Sequence, residues 1–295
     1  MSWRGTTLRK RTRRIPTFCI EPRSVEDEKL QKVLAREGLG SRREIERWIS
    51  AGRVRVNGKA AAIGTRIGPQ DEVKVDGDVV RRAARATSRV LMYNKPEGEV
   101  CTRRDTEGRR TVFERLPALA GGRWLSVGRL DINTQGLLLF TNDGELNHRL
   151  THPSSSLVRE YAVRVLGEVE AGAFRKLLDG VELDDGPARF TSLRDAGGDG
   201  ANHWYNVTLE EGRNREVHRL WASQGVRVSR LIRVRYGPVQ LPRWLRTGRY
   251  SELEGPALAE LFKAVGLRRP VPRSSVARTT RARKRISRLP ARKGS

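Results

Sequence analysis

Residues 127–146 read VGRLDINTQGLLLFTNDGEL and carry the clearest local indications of the fold. A polar loop around Asp131 leads into the apolar run Leu137–Phe140, which has the length of a buried strand. The turn residues Asn142-Asp143-Gly144 then end the strand, and a helix is expected to follow. Catalytic groups often lie on loops anchored by rigid strands, and Asp131 has this placement. On spacing alone, the simpler interpretation is that Asp131 and Asn133 only cap backbone groups in a tight loop.

Strand-like and helix-like patterns continue on both sides of this stretch, over residues 90–267. The predicted strands are Val90–Tyr93, Leu137–Phe140, Tyr161–Val165, Tyr205–Leu209 and Leu231–Val234. The predicted helices are Val112–Leu116, Phe174–Leu178, Glu216–Ser223 and Pro256–Val265. Strands outnumber helices and do not alternate with them as in a dinucleotide-binding fold. We therefore predict an α+β fold, in which this domain contains a mainly antiparallel mixed sheet with helices packed on it.

A smaller domain is predicted over residues 28–77. Its first helix stops at Gly38, and a second helix begins at Ser41, where Glu44 completes a capping box. Alternating valines then run into the turn Asn57-Gly58, which predicts a β-hairpin. Two short helices and a hairpin with one basic face are expected to grip nucleic acid. The basic residues predicted to be exposed there are Arg42, Arg43, Arg47, Arg53, Arg55 and Lys59.

The formal net charge of +25 predicts a polyanionic partner. Residues 1–20 carry six arginines or lysines and residues 268–295 carry eleven, with no acidic residue in either segment. These segments supply 17 of the 25 charges and leave +8 for residues 21–267. We predict a basic arm at 1–27, a linker at 78–89 and a disordered basic tail at 268–295, with arm and tail attracting phosphate without reading sequence. The alternative is that they only improve solubility.

Cellular location is constrained by what the chain lacks. Cys19 and Cys101 are too few for a disulfide framework, so a reducing, cytoplasmic compartment is expected. No stretch approaches the ~18 consecutive apolar residues of a membrane span, so no membrane partner is predicted. The arginine-rich amino terminus overlaps in composition with organellar transit peptides, which leaves organellar targeting as an alternative.

Several sites for metals and cofactors are disfavoured. There is no P-loop, no G-x-G-x-x-G after a strand and no H-E-x-x-H. His148 and His152 lie four residues apart, but no cysteine or carboxylate cluster completes a metal site around them. Asp184-Asp185-Gly186-Pro187 has the composition of a turn rather than of a catalytic acid pair. We therefore predict neither a metal nor a cofactor.

Two resemblances add to these patterns. Residues 30–59, LQKVLAREGLGSRREIERWISAGRVRVNGK, resemble an S4 RNA-binding domain. Gly128-Arg129-Leu130-Asp131 and the INTQGLLLFTNDGEL that follows resemble the signature of the RsuA-type family of ribosomal RNA pseudouridine synthases, and most of all its B-type large-subunit branch. Supporting blocks occur in the expected order, and they are Asn94-Lys95-Pro96, His152-Pro153-Ser154, Arg159-Glu160-Tyr161, EGRNREV at 211–217 and VSRLIRVRYG at 228–237.

The resemblance implies that the protein isomerises uridine to pseudouridine in large-subunit (23S) ribosomal RNA, as a monomer and without a cofactor. It assigns the covalent carboxylate to Asp131. Tyr161 is implied to stack on the flipped base and assist proton transfer, although Tyr161 can instead be a cross-strand packing residue. Arg129 is implied to fill the gap left by the extruded base or to hold its phosphate. Other arginines expected to contact RNA are Arg213, Arg215 and Arg219.

His218 departs from the family pattern, which has arginine or lysine as the basic partner of the aspartate at this position. If His218 takes that role, Asp131 should raise its pKa above the ordinary value of ~6.5. Arg215, three residues earlier on the same helix face, is the better substitute, and Arg219 is adjacent in sequence but about 100° around the helix. The remaining interpretation is that His218 packs against the sheet.

Three rival functions stay open at this point. The first is a non-catalytic ribosome-assembly factor that uses the same fold to clamp RNA. The second is the same chemistry on small-subunit ribosomal RNA. The third is a methyltransferase attached to an S4 domain, which the absence of a glycine-rich cofactor loop disfavours.

Overall fold

A computed structural model describes residues 27–82, 87–119, 122–167, 169–199 and 202–268. The predicted arm before Asp27 and the predicted tail after Arg268 lie outside the described residues, as does Cys19. The chain divides into two compact units between Arg82 and Ala83. None of the helices in the described ranges is long and apolar enough to cross a membrane.

The first unit has the predicted pair of helices and the predicted hairpin. Its elements are β1 (Glu28–Lys29), α1 (Leu30–Arg36), α2 (Arg42–Ser50), β2 (Val54–Val56), β3 (Lys59–Ala60), β4 (Arg66–Ile67), β5 (Val73–Val75) and β6 (Asp78–Val79). Ser41 and Glu44 form the predicted capping box at the start of α2. Strands β3, β2, β5 and β6 make one small antiparallel sheet, and β1 pairs with β4. Apolar side chains of α1, α2, β2 and β5 form its core.

The predicted linker begins later than residue 78. Asp76-Gly77 is a two-residue hairpin turn with positive φ at both positions, and it turns β5 back into β6. The amide of Val80 then donates to the Val73 carbonyl, and the Arg82 guanidinium donates to three carbonyls of residues 68–71. These bonds attach residues 78–82 to the small domain.

The second unit is built around one large sheet. Its strands are β7 (Val90–Lys95), β8 (Leu125–Val127), β9 (Thr134–Thr141), β10 (Arg159–Leu166), β11 (Val181–Leu183), β12 (Gly186–Ala188), β13 (Ser192–Asp199), β14 (Asn202–Leu209), β15 (Arg227–Tyr236), β16 (Val239–Gln240) and β17 (Tyr250–Glu252). Its helices are α3 (Gly144–Thr151), α4 (Ala171–Asp179), α5 (Glu216–Ala222) and α6 (Gly255–Ala264), with one 3₁₀ turn at Pro153–Ser155. The predicted helix–strand assignments from Leu137 onward are confirmed by these bounds.

The order of strands in the large sheet is β13-β14-β10-β15-β9-β7-β17. Every neighbouring pair in this order is antiparallel except β15 and β9, which run parallel. The predicted fold class, α+β with a mainly antiparallel mixed sheet, is therefore confirmed. Gly136 lies at the parallel pairing, where its φ is +100° and a β-carbon would collide with the backbone of Arg233.

Strand β9 is buried on both faces, which explains its unbroken apolar sequence. Leu138 and Phe140 pack into a core that includes residues of α4 and α5. Leu137 and Leu139 pack into a second core with residues of α3 and α6. The loop that precedes β9 is therefore attached to the most deeply covered strand of the sheet.

The predicted helix Val112–Leu116 is wrong. Residues 112–115 form turns, with amide bonds from Glu114 to Thr111 and from Leu116 to Phe113. Thr111 bridges to Val100, which holds the start of this segment in an extended pairing, and Pro117 prevents a helix from continuing. Val112 is nevertheless buried, so the apolar spacing of this segment reflects burial in the core and not helical structure.

Candidate active site

A cavity of about 280 Å³ opens where β9 and β10 begin and β14 ends. The loop before β9 forms one wall, and the start of α5 forms another. Six residues that the sequence predicted for catalysis or RNA contact line it, and they are Arg129, Asp131, Tyr161, Arg213, Arg215 and His218. Arg233 and Tyr236 also line this cavity, so its lining residues are up to 108 positions apart in sequence, from Gly128 to Tyr236.

Asp131 is half-buried in the loop between β8 and β9. The backbone of this loop is bonded by its own main-chain groups: the amide of Thr134 donates to the Asp131 main-chain oxygen at 3.0 Å, and the amide of Gly98 donates to the Ile132 oxygen at 2.9 Å. Cys101 bonds both the amide and the carbonyl of Leu130 through Sγ. Within the described residues the Asp131 carboxylate accepts no hydrogen bond, which leaves it available to a ligand and does not support the capping interpretation.

Lys95 holds this loop from the neighbouring strand β7. It is 0% exposed, and its ammonium group donates to the carbonyls of Ile132 at 3.3 Å and Thr134 at 2.9 Å. Burial lowers the pKa of Lys95, while Cys101, Glu99 and Asp131 act in the opposite direction. The Asp131 loop is therefore pinned by a buried amine on which the Asp131 charge acts.

Tyr161 and Arg233 lie opposite each other on β10 and β15. Tyr161 is 8% exposed, belongs to the core and also lines the cavity, so packing and contact with a ligand are compatible roles. Arg233 is 2% exposed; its Nε donates to the Leu137 carbonyl at 2.8 Å, and its guanidinium lies over the Tyr236 ring. Nη2 of Arg233 is buried without a hydrogen-bond partner among the described residues.

His218 lies in the cavity wall, but its pKa is shifted opposite to the predicted direction. Burial lowers the pKa of His218 and the nearby Arg215 lowers it further, and these effects outweigh the opposing effect of Asp131. The expectation of a raised pKa is therefore wrong. Burial destabilises the charged imidazole by more than the partly exposed Asp131 carboxylate stabilises it. Nδ1 of His218 is buried and has no hydrogen-bond partner within the described part of the chain.

The two arginines proposed as substitutes for His218 differ in placement. Arg215 lines the cavity, but it is the amino-terminal cap of α5 in a left-handed conformation, so the helical spacing used to relate it to His218 does not apply. Arg219 is outside the cavity wall and forms a two-armed ion pair with Asp185, at 2.7 and 2.8 Å. This pairing and this placement disfavour Arg219, one of the open alternatives, as the basic partner of Asp131.

The segment Asp184–Pro187 contains the predicted turn, which joins β11 to β12. Its Asp185 has a structural role beside the turn, because it binds Arg219 and lies near Arg213. Arg213 donates to the carbonyls of Gly186 and Pro187, so only part of its donor capacity faces the cavity. Arg129 is exposed at the cavity mouth.

The basic residues of the small domain are exposed as predicted, with one difference in electrostatics. Those exposed are Arg42, Arg43, Arg47, Arg53, Arg55 and Lys59. Arg53 is paired with Asp76, with Nε to Oδ1 at 2.8 Å, and its guanidinium lies over the Trp48 ring. Arg53 is therefore a neutralised cation, which the sequence alone did not distinguish from its neighbours.

Glu216 is a cavity residue that sequence reasoning missed. It is 3% exposed, and burial together with the neighbouring Glu211 raises the pKa of Glu216 to about 7, against the opposing bond from the Arg213 amide. Its only signal in the sequence is its place within the EGRNREV motif. Lys95 and Arg233 likewise lie within such motifs, and a cation inside an apolar strand is itself a sign of a specific role.

The histidine pair shows no metal-binding geometry. The rings of His148 and His152 pack edge to face, with centroids 5.3 Å apart, and Nδ1 of His152 bonds Ser154. Among the residues in the described ranges, no group of three or more histidine, cysteine, aspartate or glutamate side chains is arranged to hold a metal ion.

Comparison with known proteins identifies the family of each unit. The family model for RNA pseudouridylate synthase matches residues 89–223, and the S4 domain model matches residues 28–73. The chain is 57% identical over 264 residues to ribosomal large subunit pseudouridine synthase B of Pseudomonas aeruginosa, covering 88% of this chain and 68% of that protein. The protein of the same name from Escherichia coli O6:H1 is 61% identical over 231 residues, covering 77% of this chain and 79% of that protein.

A solved structure supports the same relationship at the level of the fold. The crystal structure of a pseudouridylate synthase has a TM-score of 0.55 and 27% sequence identity, covering 80% of this chain and 99% of the other.

Proposed function

Since the chain belongs to the RNA pseudouridylate synthase family and is a pseudouridine synthase with an amino-terminal S4 domain, we propose that it converts a specific uridine of 23S ribosomal RNA to pseudouridine. Relatives named for the large subunit, at 57% and 61% identity, support this choice over the small subunit. Family membership removes the reason to prefer a non-catalytic assembly factor or a methyltransferase. The proposal includes action as a monomer, in the bacterial cytoplasm, without metal or nucleotide.

In this proposal Asp131 is the nucleophile. The observation that carries it is the placement of the Asp131 carboxylate, half-buried in the cavity wall and without a hydrogen-bond partner in the described structure, on a loop that Lys95 holds. Pseudouridine formation breaks the bond from N1 of uracil to the ribose, rotates the base and joins it through C5. A carboxylate held ready for covalent attack divides this change into easier steps.

Tyr161 is proposed to support the detached base. The uridine must leave its stack to reach the cavity, and an aromatic ring on the wall can replace the lost stacking. Because Tyr161 is largely buried among core residues, its ring is fixed before the base arrives, so little side-chain entropy is lost on binding.

The positive charge near Asp131 is proposed to come from the buried Lys95 and Arg233, with His218 present as a neutral imidazole at neutral pH. Asp131 acts electrostatically on both Lys95 and His218, and Arg233 shares its cavity. An arginine keeps its charge throughout the pH range of the cell, which a histidine with a lowered pKa does not.

RNA is proposed to be held by exposed arginines on both units. Arg129 and Arg215 lie at the cavity and can bind phosphates beside the flipped uridine. On the S4 domain the same role is assigned to Arg42, Arg43, Arg47 and Lys59. Such contacts give affinity and register, while the choice of uridine depends on RNA shape.

The experiment is pseudouridine mapping on unmodified 23S and 16S ribosomal RNA incubated with the purified protein or with Asp131→Asn. We expect one site in 23S RNA with the parent and none with Asp131→Asn, whose RNA affinity should stay within a few-fold. Modification only in 16S RNA would overturn the substrate assignment. Measurable conversion by Asp131→Asn would overturn the assignment of the nucleophile.

A further inference from the structure

Glu216 occupies a position in the cavity that its role as a helix residue does not explain. It is the first residue of α5, and its side chain is almost fully buried in the same wall as Asp131 and Tyr161. Oε2 accepts a hydrogen bond from the Arg213 amide at 3.0 Å, which orients the carboxyl group. Oε1 is buried and receives no hydrogen bond from any donor in the described residues.

The surroundings of Glu216 favour its protonated form, in contrast to the solvent around an exposed glutamate. Burial raises the pKa of Glu216 to about 7, and the adjacent Glu211 carboxyl contributes in the same direction. Two neighbouring carboxyl groups can share a hydrogen bond only when one of them carries a proton. The raised pKa brings the protonated and ionised forms of Glu216 closer in free energy near neutral pH, which suits a group that must accept and then donate a proton.

The reaction contains a step that needs such a group. Once the rotated uracil has rejoined the ribose through C5, that carbon still carries its hydrogen, and N1 lacks one. Asp131 is occupied as the nucleophile, and burial makes His218 a weaker base while it makes Glu216 a stronger one. Both Oε1 of Glu216 and Nδ1 of His218 are buried without a partner in the described residues, but burial raises the proton affinity of Glu216 and lowers that of His218.

We propose that Glu216 carries the proton from C5 to N1 of the rejoined uracil. This inference rests on the proposed function. The Glu216 carboxylate takes the proton from C5, and the electron pair of the C5–H bond forms the C5=C6 double bond. The pair of the C6=N1 bond moves to N1, which receives the proton from the Glu216 carboxylic acid. The base gains and loses one proton, and the carboxylate is regenerated.

The test is the single-turnover rate on a 23S RNA fragment that the parent modifies, with hydrogen or deuterium at C5 of the target uridine. Conversion by the parent tests the proposed function first. The role of Glu216 is then tested by the variants, so a failure of one proposal can be distinguished from a failure of the other. Glu216→Gln keeps the shape and can still accept the Arg213 bond. We expect a rate about 10²-fold lower, and a deuterium effect larger than that of the parent because proton removal has become limiting.

The matched control is Glu260→Gln, the same chemical change on an exposed carboxyl of α6, outside the cavity wall. It should keep the rate within a few-fold, with the deuterium effect of the parent. A slower Glu216→Gln with an unchanged deuterium effect would overturn the proposal and leave Glu216 as a positioning residue. An increased deuterium effect in Tyr161→Phe or His218→Gln, and none in Glu216→Gln, would overturn it in favour of that residue.

Discussion

The ammonium group of Lys95 lies 2.9 Å from the main-chain carbonyl oxygen of Thr134, three residues after Asp131. The same group reaches the carbonyls of Pro96 and Ile132, so all three of its donors end on backbone oxygens. The ammonium group of Lys95 thus links strand β7 to the loop before β9, and it is fully buried.

Lys95→Met should lower both stability and activity, because three carbonyl oxygens lose the buried ammonium donor, although that of Ile132 keeps a second donor, the Gly98 amide. We expect a loss of about 2–4 kcal/mol in the free energy of unfolding, measured by urea denaturation. The single-turnover rate at a temperature where the variant is folded should also fall, since the Asp131 loop is no longer held. The control is Lys176→Met, on the exposed face of α4, where a change within about 0.5 kcal/mol is expected. Equal stability of the two variants would contradict this role of Lys95.

Gly136→Ala should lower the free energy of unfolding by more than the cost of its positive φ angle alone. Gly136 and Gly167 have φ of +100° and +101°, but only Gly136 faces the Arg233 backbone, and Gly167 has open space around it. Gly167→Ala should cost about 1–2 kcal/mol for the left-handed angle. Gly136→Ala should cost at least ~3 kcal/mol, because β9 and β15 must also separate. Equal losses in a denaturant titration would show that the close approach has no energetic importance.

The unfolding free energy should depend on His218 at mildly acidic pH. Its pKa is lowered in the folded state, so the unfolded chain binds the proton more readily. The stability that His218 contributes is therefore complete above the unfolded pKa of ~6.5 and is lost as pH falls through the lower folded value. His218→Gln should remove this part of the pH dependence, measured as the difference between the two denaturation curves at each pH.

The rate profile should be insensitive to His218 on the alkaline side. Because the imidazole is already neutral at pH ~7, the parent and His218→Gln should have rate curves of the same shape above that pH. An alkaline decline in the parent that is absent in His218→Arg would show instead that Asp131 raises the pKa of His218 when RNA is bound.

On the S4 domain, Arg53 should contribute less to RNA binding than Arg47. Both arginines are exposed, but Asp76 pairs with Arg53, whereas Arg47 has no acidic partner among the described residues. Arg47→Ala should make the slope of log affinity against log salt shallower by ~0.7–0.9, the loss of one phosphate contact. Arg53→Ala should leave the slope nearly unchanged, and Asp76→Asn should make it steeper because it frees Arg53. A loss as large for Arg53→Ala as for Arg47→Ala would contradict this assignment.

Local patterns were sufficient for most of the fold. The capping box at Ser41 and the turn Asn57-Gly58 specify their structures through neighbours a few residues away, and both are confirmed. Asp76-Gly77 carries the same hairpin signal, and the strand that follows it occupies the first residues of the predicted linker. Val112–Leu116 failed for a different reason, because its apolar spacing reflects burial in the core beside an extended bridge.

The sequence by itself determined the family, the two-domain order and the position of Asp131 on a loop before a buried strand. Only the tertiary structure decided which other groups belong to the site of that carboxylate. Lys95, Glu216 and Arg233 reach the site from β7, α5 and β15, and their burial depends on strand pairings between distant segments. The pKa values of His218 and Glu216 shift in opposite directions because the same burial penalises a cation in one and an anion in the other. Turn and helix signals act over a few residues, whereas desolvation and charge pairing are set by the whole packed wall.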